Sequence, residues 1–149
     1  AAGLFFATTE WATTDTISNE HYLQFGKPYD LRILESVRDT RLNVLHVCKP
    51  NNMLELFTDY PFDVLSYADT DEGNMQFDRA AELFPGKAIL GGLAAKTILV
   101  NGRPEEVVGE AEKKSRIIDP SKWILGPSCS IPAEVPEQNL RALREWVER

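Results

Sequence analysis

Leu42-Asn43-Val44-Leu45-His46-Val47-Cys48 is a short apolar run that closes on a histidine and a cysteine two positions apart. Its length and β-branched content predict a strand. Strand alternation then points the His46 and Cys48 side chains to the same face. Similar runs recur on both sides of it. Leu4 to Thr8, Val64 to Ala68, Ala88 to Leu93 and Trp123 to Leu125 also read as strands. Gly91-Gly92, at the end of the fourth, predicts a close backbone approach rather than a strand interior.

Helix signals fill the gaps. Ser18 caps a predicted helix to Phe25. Pro28 opens a second, with Leu31, Leu34 and Val37 at helical spacing and Arg38 near its end. Asn51 or Asn52 is the expected cap of a helix carrying Met53, Leu54 and Phe57. Asn74 is the expected cap of another, with Phe77, Ala80, Ala81 and Phe84 inward and Gly86 as its stop. Pro104 starts a helix with Glu105 and Glu106 in its first turn and a face of Val107, Val108, Ala111 and Ile118. The Lys113-Lys114-Arg116 cluster complements its C-terminal end. Pro136 to Arg149 forms the last helix. Strand and helix alternate five times, which implies a mainly parallel α/β sheet. Five strands suit either an open doubly wound sheet or just over half of a (β/α)8 barrel of about 250 residues. In both, ligands gather at the strand C-terminal ends.

Length and charge narrow the function. The chain has 149 residues, 43% of them hydrophobic and 26% charged, which fits one folded domain over 1–149. A net charge of −7 excludes a nucleic-acid or anionic-membrane partner, because no basic stripe can neutralise phosphates. No apolar run reaches the length of a membrane span. Two cysteines make no disulfide framework, and the expectation is a cytoplasmic protein with reduced thiols. The opening Ala1-Ala2-Gly3-Leu4-Phe5-Phe6 reads like the inside of a strand, so the chain is expected to be part of something longer.

Chemistry concentrates at the strand ends. Cys129 follows the fifth strand in Gly126-Pro127-Ser128-Cys129-Ser130-Ile131-Pro132. A parallel sheet can bring it beside His46 and Cys48, and one imidazole with two thiolates is a three-ligand zinc set with an open fourth position. Spacing alone leaves a second reading open, in which two buried cysteines and a hydrogen-bonded histidine merely pack. Asp69, in the acidic stretch after the third strand, is a candidate fourth ligand or a carboxylate orienting the histidine; a solvated helix start is its other reading. Glu10 and Trp11, after the first strand, are candidates for the pocket lining. His21 reads as an exposed helix residue.

Leu45-His46-Val47-Cys48, Ile89-Leu90-Gly91-Gly92-Leu93 and Gly126-Pro127-Ser128-Cys129-Ser130-Ile131-Pro132 through Pro136-Glu137-Gln138-Asn139-Leu140 together resemble the uroporphyrinogen decarboxylase superfamily. Glu10-Trp11-Ala12 and Phe25-Gly26-Lys27-Pro28-Tyr29 look like its loop-and-helix segment after a mid-barrel strand. The resemblance spans nearly the whole chain but only about the C-terminal half of a family barrel. Within the superfamily, His46, Cys48 and Cys129 match the zinc-dependent methylcobamide:thiol (coenzyme M type) methyltransferases. The resemblance therefore implies zinc on those three residues, a thiol substrate and a methyl group carried by a separate corrinoid protein. The alternatives are decarboxylation of a tetrapyrrole, as in the family's carboxy-lyases, and a non-catalytic barrel fragment. Two departures bear on the acceptor more than on the metal. The family commonly follows His-x-Cys with Gly, where Lys49-Pro50 stand here, and Gly91-Gly92-Leu93 replaces a more usual Gly-Asn and acidic residue. A sheet cut from a barrel exposes two edges and an apolar lining, so the chain is expected to need its missing N-terminal half or a second copy.

Overall fold

A computed structural model describes residues 3–8 and 10–149; Ala1 and Ala2 of the expected opening run lie outside them. Five strands form one parallel sheet: β1 (Gly3–Thr8), β2 (Leu42–Val47), β3 (Val64–Tyr67), β4 (Ala88–Leu93) and β5 (Trp123–Pro127). Their spatial order follows the chain, β1-β2-β3-β4-β5. A doubly wound sheet reverses its strand order at a switch point, and none occurs along these five strands. Around the sheet run α1 (Asn19–Phe25), α2 (Lys27–Glu35), α3 (Phe77–Leu83), α4 (Ile98–Asn101), α5 (Pro104–Ser115) and α6 (Glu137–Val147).

One face of the sheet takes the helices. Leu45, Val47, Leu65, Tyr67 and Ile89 are almost wholly buried, in one cluster with Leu34 of α2 and Phe77 and Ala80 of α3. Leu93 does the same against Leu99, Val107, Ala111 and Leu143 of α4, α5 and α6. The alternate residues face the opposite side. There Ala7, His46, Ser66, Leu90 and Ile124 form one continuous row across the sheet, each aligned with the next through the strand register. Helices on one face, with sequential strands, are the arrangement of a barrel wall, and the fold is five consecutive strands of a (β/α)8 barrel.

Several sequence expectations shift. The β2–β3 connection carries a 3₁₀ turn, Leu54–Phe57, in place of an α-helix, and Met53 precedes it without a side-chain cap. The asparagines are used elsewhere: Asn51 has φ +48° and donates to Asp15, while the Asn52 N–H donates to Asn74 Oδ1. Asn74 therefore caps no helix. Its amide also donates to the carbonyls of Lys49 and Ala68, and α3 begins at Phe77 after Gln76. Helix α3 ends at Leu83 with Phe84 as its C-cap, so Gly86 (φ +83°) serves the turn beyond. Val37 and Arg38 lie past the end of α2, and Ile118 past the end of α5, where it still buries. Ser18 does cap α1, accepting from the His21 N–H at 3.2 Å.

Gly91 and Gly92 lie inside β4, paired with Leu125 and Gly126. They also make the expected close approach. A Cβ on Gly91 would meet Asp69 Oδ1 at 2.9 Å, and Gly92 holds φ +101° against the Trp123 ring. No helix among the described residues is long and apolar enough to cross a membrane.

Candidate metal centre

His46, Cys48 and Cys129 meet at the C-terminal end of the sheet on its helix-free face. One ligand atom from each lies within 4.8 Å of those of the others. The two sulfurs are 3.3 Å apart and both cysteines are free thiols. They sit in a cleft of about 330 Å³ whose walls include Phe5, Ser66, Leu90 and Ile131.

Each donor is held by identifiable contacts. His46 is buried in the strand and its Nδ1 lies 2.9 Å from Ser66 Oγ, its register partner on β3. Phe5 stacks on the ring with centroids 6.0 Å apart. Burial pushes the imidazole below its ordinary pKa, so the ring is neutral at neutral pH. In the tautomer that donates Nδ1–H to Ser66, Nε2 keeps its lone pair for a metal. Cys129 follows Ser128, whose backbone N–H donates to Leu93 O at 2.8 Å. The Ser128 hydroxyl accepts from Thr70 Oγ1 at 2.9 Å and from the Ala95 N–H at 3.4 Å. The last strand end is thereby pinned to β3 and β4. Burial, and then the neighbouring Cys129, pushes the Cys48 thiol up, while the Lys49 backbone N–H opposes this by donating to its sulfur.

The loop after Cys48 is fastened at almost every residue. Lys49 has φ +74°, a left-handed conformation that costs a residue with a Cβ about 1 kcal/mol. Its carbonyl accepts from Asn74 Nδ2 at 2.8 Å, Pro50 O accepts from Thr13 Oγ1 at 2.8 Å, and Asn51 O accepts from the Thr14 N–H at 3.1 Å. These contacts over-determine the strained backbone.

The donor set fits zinc. Two sulfurs on a tetrahedral zinc, each about 2.3 Å from the metal, stand about 3.8 Å apart. The 3.3 Å spacing therefore needs only a small opening of the pair. Two thiols and a neutral imidazole are the soft-to-borderline ligands that zinc prefers.

The other candidates lie elsewhere. Asp69 is buried, but its carboxylate accepts from the Gly92 N–H at 3.3 Å and faces Lys114 Nζ at 3.6 Å, outside the three-donor group. The group beside His46 Nδ1 is the Ser66 hydroxyl, not this carboxylate. Lys114 thus does more than complement the end of α5, since it also lies over the Phe77 ring. Glu10 is exposed and pairs with Lys49 Nζ at 3.1 Å. Trp11 is 63% exposed and lines a separate apolar cleft with Phe6, Tyr22 and Phe25 at the β1 edge. His21 is an exposed helix residue beside Phe25. Sequence reading missed Ser66 and Ser128. Ser66 was findable, because it is the only polar residue within Val64–Ala68 ahead of its tyrosine and sits level with His46 in a parallel register.

The uroporphyrinogen decarboxylase (URO-D) family profile matches residues 2–149. The chain belongs to the uroporphyrinogen decarboxylase family. Its curated relatives include the methylcobamide:CoM methyltransferase MtbA of Methanosarcina acetivorans, 26% identical over 136 residues. The same enzyme from Methanosarcina mazei is 25% identical. Each alignment covers 90% of this chain and 38% of the relative, so the chain spans well under half the length of these relatives. A solved methyltransferase from Methanosarcina mazei superimposes with a TM-score of 0.78 at 24% identity, covering 99% of this chain and 42% of the other. That superposition agrees with a partial barrel.

Proposed function

We propose that residues 1–149 are one unit, the C-terminal part of a zinc-dependent methyltransferase barrel. It serves methyl transfer from a methylated corrinoid, carried on a partner protein, to a thiol. The observation that carries this is the convergence of His46, Cys48 and Cys129 within 4.8 Å, in a chain whose curated relatives are named methylcobamide:CoM methyltransferases. His46 Nε2 and the two sulfurs would hold zinc. Zinc in such a site supplies a Lewis acid with an open fourth position, where a thiol gives up its proton near neutral pH.

The chain's own residues supply position and shelter. Ser66 orients the imidazole, and Ser128 sets the height of Cys129 on the strand end. Phe5, Leu90 and Ile131 give the cleft apolar walls beside the sulfurs. The cleft's polar side-chain atoms are thiols, hydroxyls and an imidazole. Apolar clefts flank both edge strands, one with Phe6 and Phe25 and the other with Leu125, Leu140 and Leu143. These support completion of the wall by the N-terminal half of the barrel or by a second copy. A well-behaved monomer in size-exclusion chromatography would count against that completion.

Elemental analysis of the purified chain tests the metal. About one zinc per chain, lost in Cys48→Ala and in Cys129→Ala, is the expected result for a three-donor site. A folded wild-type chain that takes up no zinc would remove the methyltransferase reading.

A further inference from the structure

Strands β2 and β5, which deliver Cys48 and Cys129, are not neighbours. Two strands lie between them, so a flat sheet would hold their ends about 14 Å apart. The sulfurs nevertheless stand 3.3 Å apart, so the wall curves toward its helix-free face at the C-terminal edge. Three consecutive residues after β3 hold that curve. Ala68 donates its N–H to Val47 O at 3.1 Å, one residue before Cys48. Asp69 accepts from the Gly92 N–H of β4 at 3.3 Å. Thr70 donates its hydroxyl to Ser128 Oγ at 2.9 Å, one residue before Cys129. Each residue thus reaches a different strand. The Thr70 bond has the longest reach, passing β4 to take hold of β5. Apart from the contact between the thiols themselves, it is the one side-chain hydrogen bond among the described residues that joins the ends of strands that are not neighbours. Ser128 is buried, so little water competes for its hydroxyl.

We infer that Thr70 is a positioning residue for the thiol pair: its hydroxyl draws Ser128 toward β3 and so sets the distance between Cys129 and Cys48. It acts through Ser128 rather than on either sulfur. With Ala68 tied to the end of β2 and Thr70 to the end of β5, residues 68–70 form a bracket whose two arms stop one residue short of the two cysteines. The effect on the thiols follows from the fold alone, whereas the effect on zinc rests on the proposed function.

Phenylarsine oxide reads the spacing without zinc, because one trivalent arsenic binds two adjacent thiols. Two S–H bonds and the arsenic–oxygen bond break, two arsenic–sulfur bonds form, and one water leaves. The chain has only these two cysteines, so a one-to-one adduct identifies the pair. Displacement by 2,3-dimercaptopropanol gives the affinity, and a urea midpoint for each variant confirms that folded chains are compared. Thr70→Val keeps the shape and removes the hydroxyl. It should weaken arsenical binding about tenfold, as loss of one buried hydrogen bond implies, while Thr70→Ser stays within about twofold of the wild type. Ser128→Ala, which also frees the Ala95 N–H, should lose at least as much. Adding Thr70→Val to it should cost little more, because both changes remove the same bond. Zinc affinity, read by chelator competition, should fall in the same order. Thr70→Val within about twofold of the wild type, or Thr70→Ser as weak as Thr70→Val, would overturn the assignment. If the arsenical series behaves as expected but the wild type takes up no zinc, the proposed function fails while the role of Thr70 stands. A wild type that forms no one-to-one arsenical adduct would overturn the apposition of the thiols and the role of Thr70 with it.

Discussion

The two faces of the sheet are built from alternate residues of the same strands and do opposite work. On the helix-covered face, Leu45, Val47, Leu65 and Tyr67 are each 0% exposed and interdigitate with α2 and α3. On the other face, one residue along each strand, stand His46, Ser66 and, just beyond β2, Cys48. Apolar neighbours on that side stay open, with Phe5 61% and Ile124 44% exposed. Stability and chemistry are thus separated by the parity of position in a strand. A change of one residue in register would exchange them.

That separation can be broken most severely at the thiols. Cys48→Ala should reduce zinc affinity at least about 100-fold, since thiolate ligation supplies much of the binding free energy of structural zinc. Competition with a chromophoric chelator reads this, and the urea midpoint of the metal-free chain should barely move. Next in size is the mirror experiment on the covered face. Leu65→Ala should cost about 3 kcal/mol in urea unfolding through the cavity it leaves, with zinc stoichiometry unchanged in the folded fraction. If Leu65→Ala abolished metal binding in folded protein, the two faces would not be independent.

A subtler probe is Ser66→Ala. Loss of the hydroxyl beside His46 Nδ1 should lower zinc affinity about tenfold through a freed imidazole, with little change in stability. Unchanged affinity would mean that Phe5 stacking alone holds the ring. The smallest effect concerns Asp69. Burial raises this carboxyl above its ordinary value of 3.8, against the opposing pull of Gly92 N–H and Lys114. The folded chain therefore holds the Asp69 proton to higher pH than the unfolded chain does. Its contribution to stability is full below 3.8 and is lost as pH rises through the folded pKa. Unfolding of Asp69→Asn followed from mildly acidic to neutral pH should lack that decline, and an identical pH profile in the variant would remove Asp69 as its source.

Much of the wall was legible in the chain. The five apolar runs became five strands, and Ser18 capped its helix, because strand and cap signals are local and act within a few residues. Asn51, Asn52 and Asn74 were misread for the opposite reason. An asparagine before an apolar run looks like a cap, yet these three spend their amides tying loops 12–16, 49–52 and 72–74 to one another. Those partners are far apart in sequence, so no local pattern announces them. Asp69 likewise looked like a metal-site carboxylate from its place after a strand. Its actual partners, Gly92 and Lys114, lie 23 and 45 positions away.

The alternation of residues along each strand was set by the sequence alone, because a period of two follows from backbone geometry and hydrophobic pattern. It assigned His46 and Cys48 to one face before any fold was known. Whether Cys129, 81 residues further on, stands 3.3 Å from Cys48 was decided only by the tertiary structure. The sequential strand order, the clustering of helices on a single face and the left-handed backbone at Lys49 were decided there too. Each depends on contacts between distant segments, and their free energy exists only once the sheet has brought those segments together.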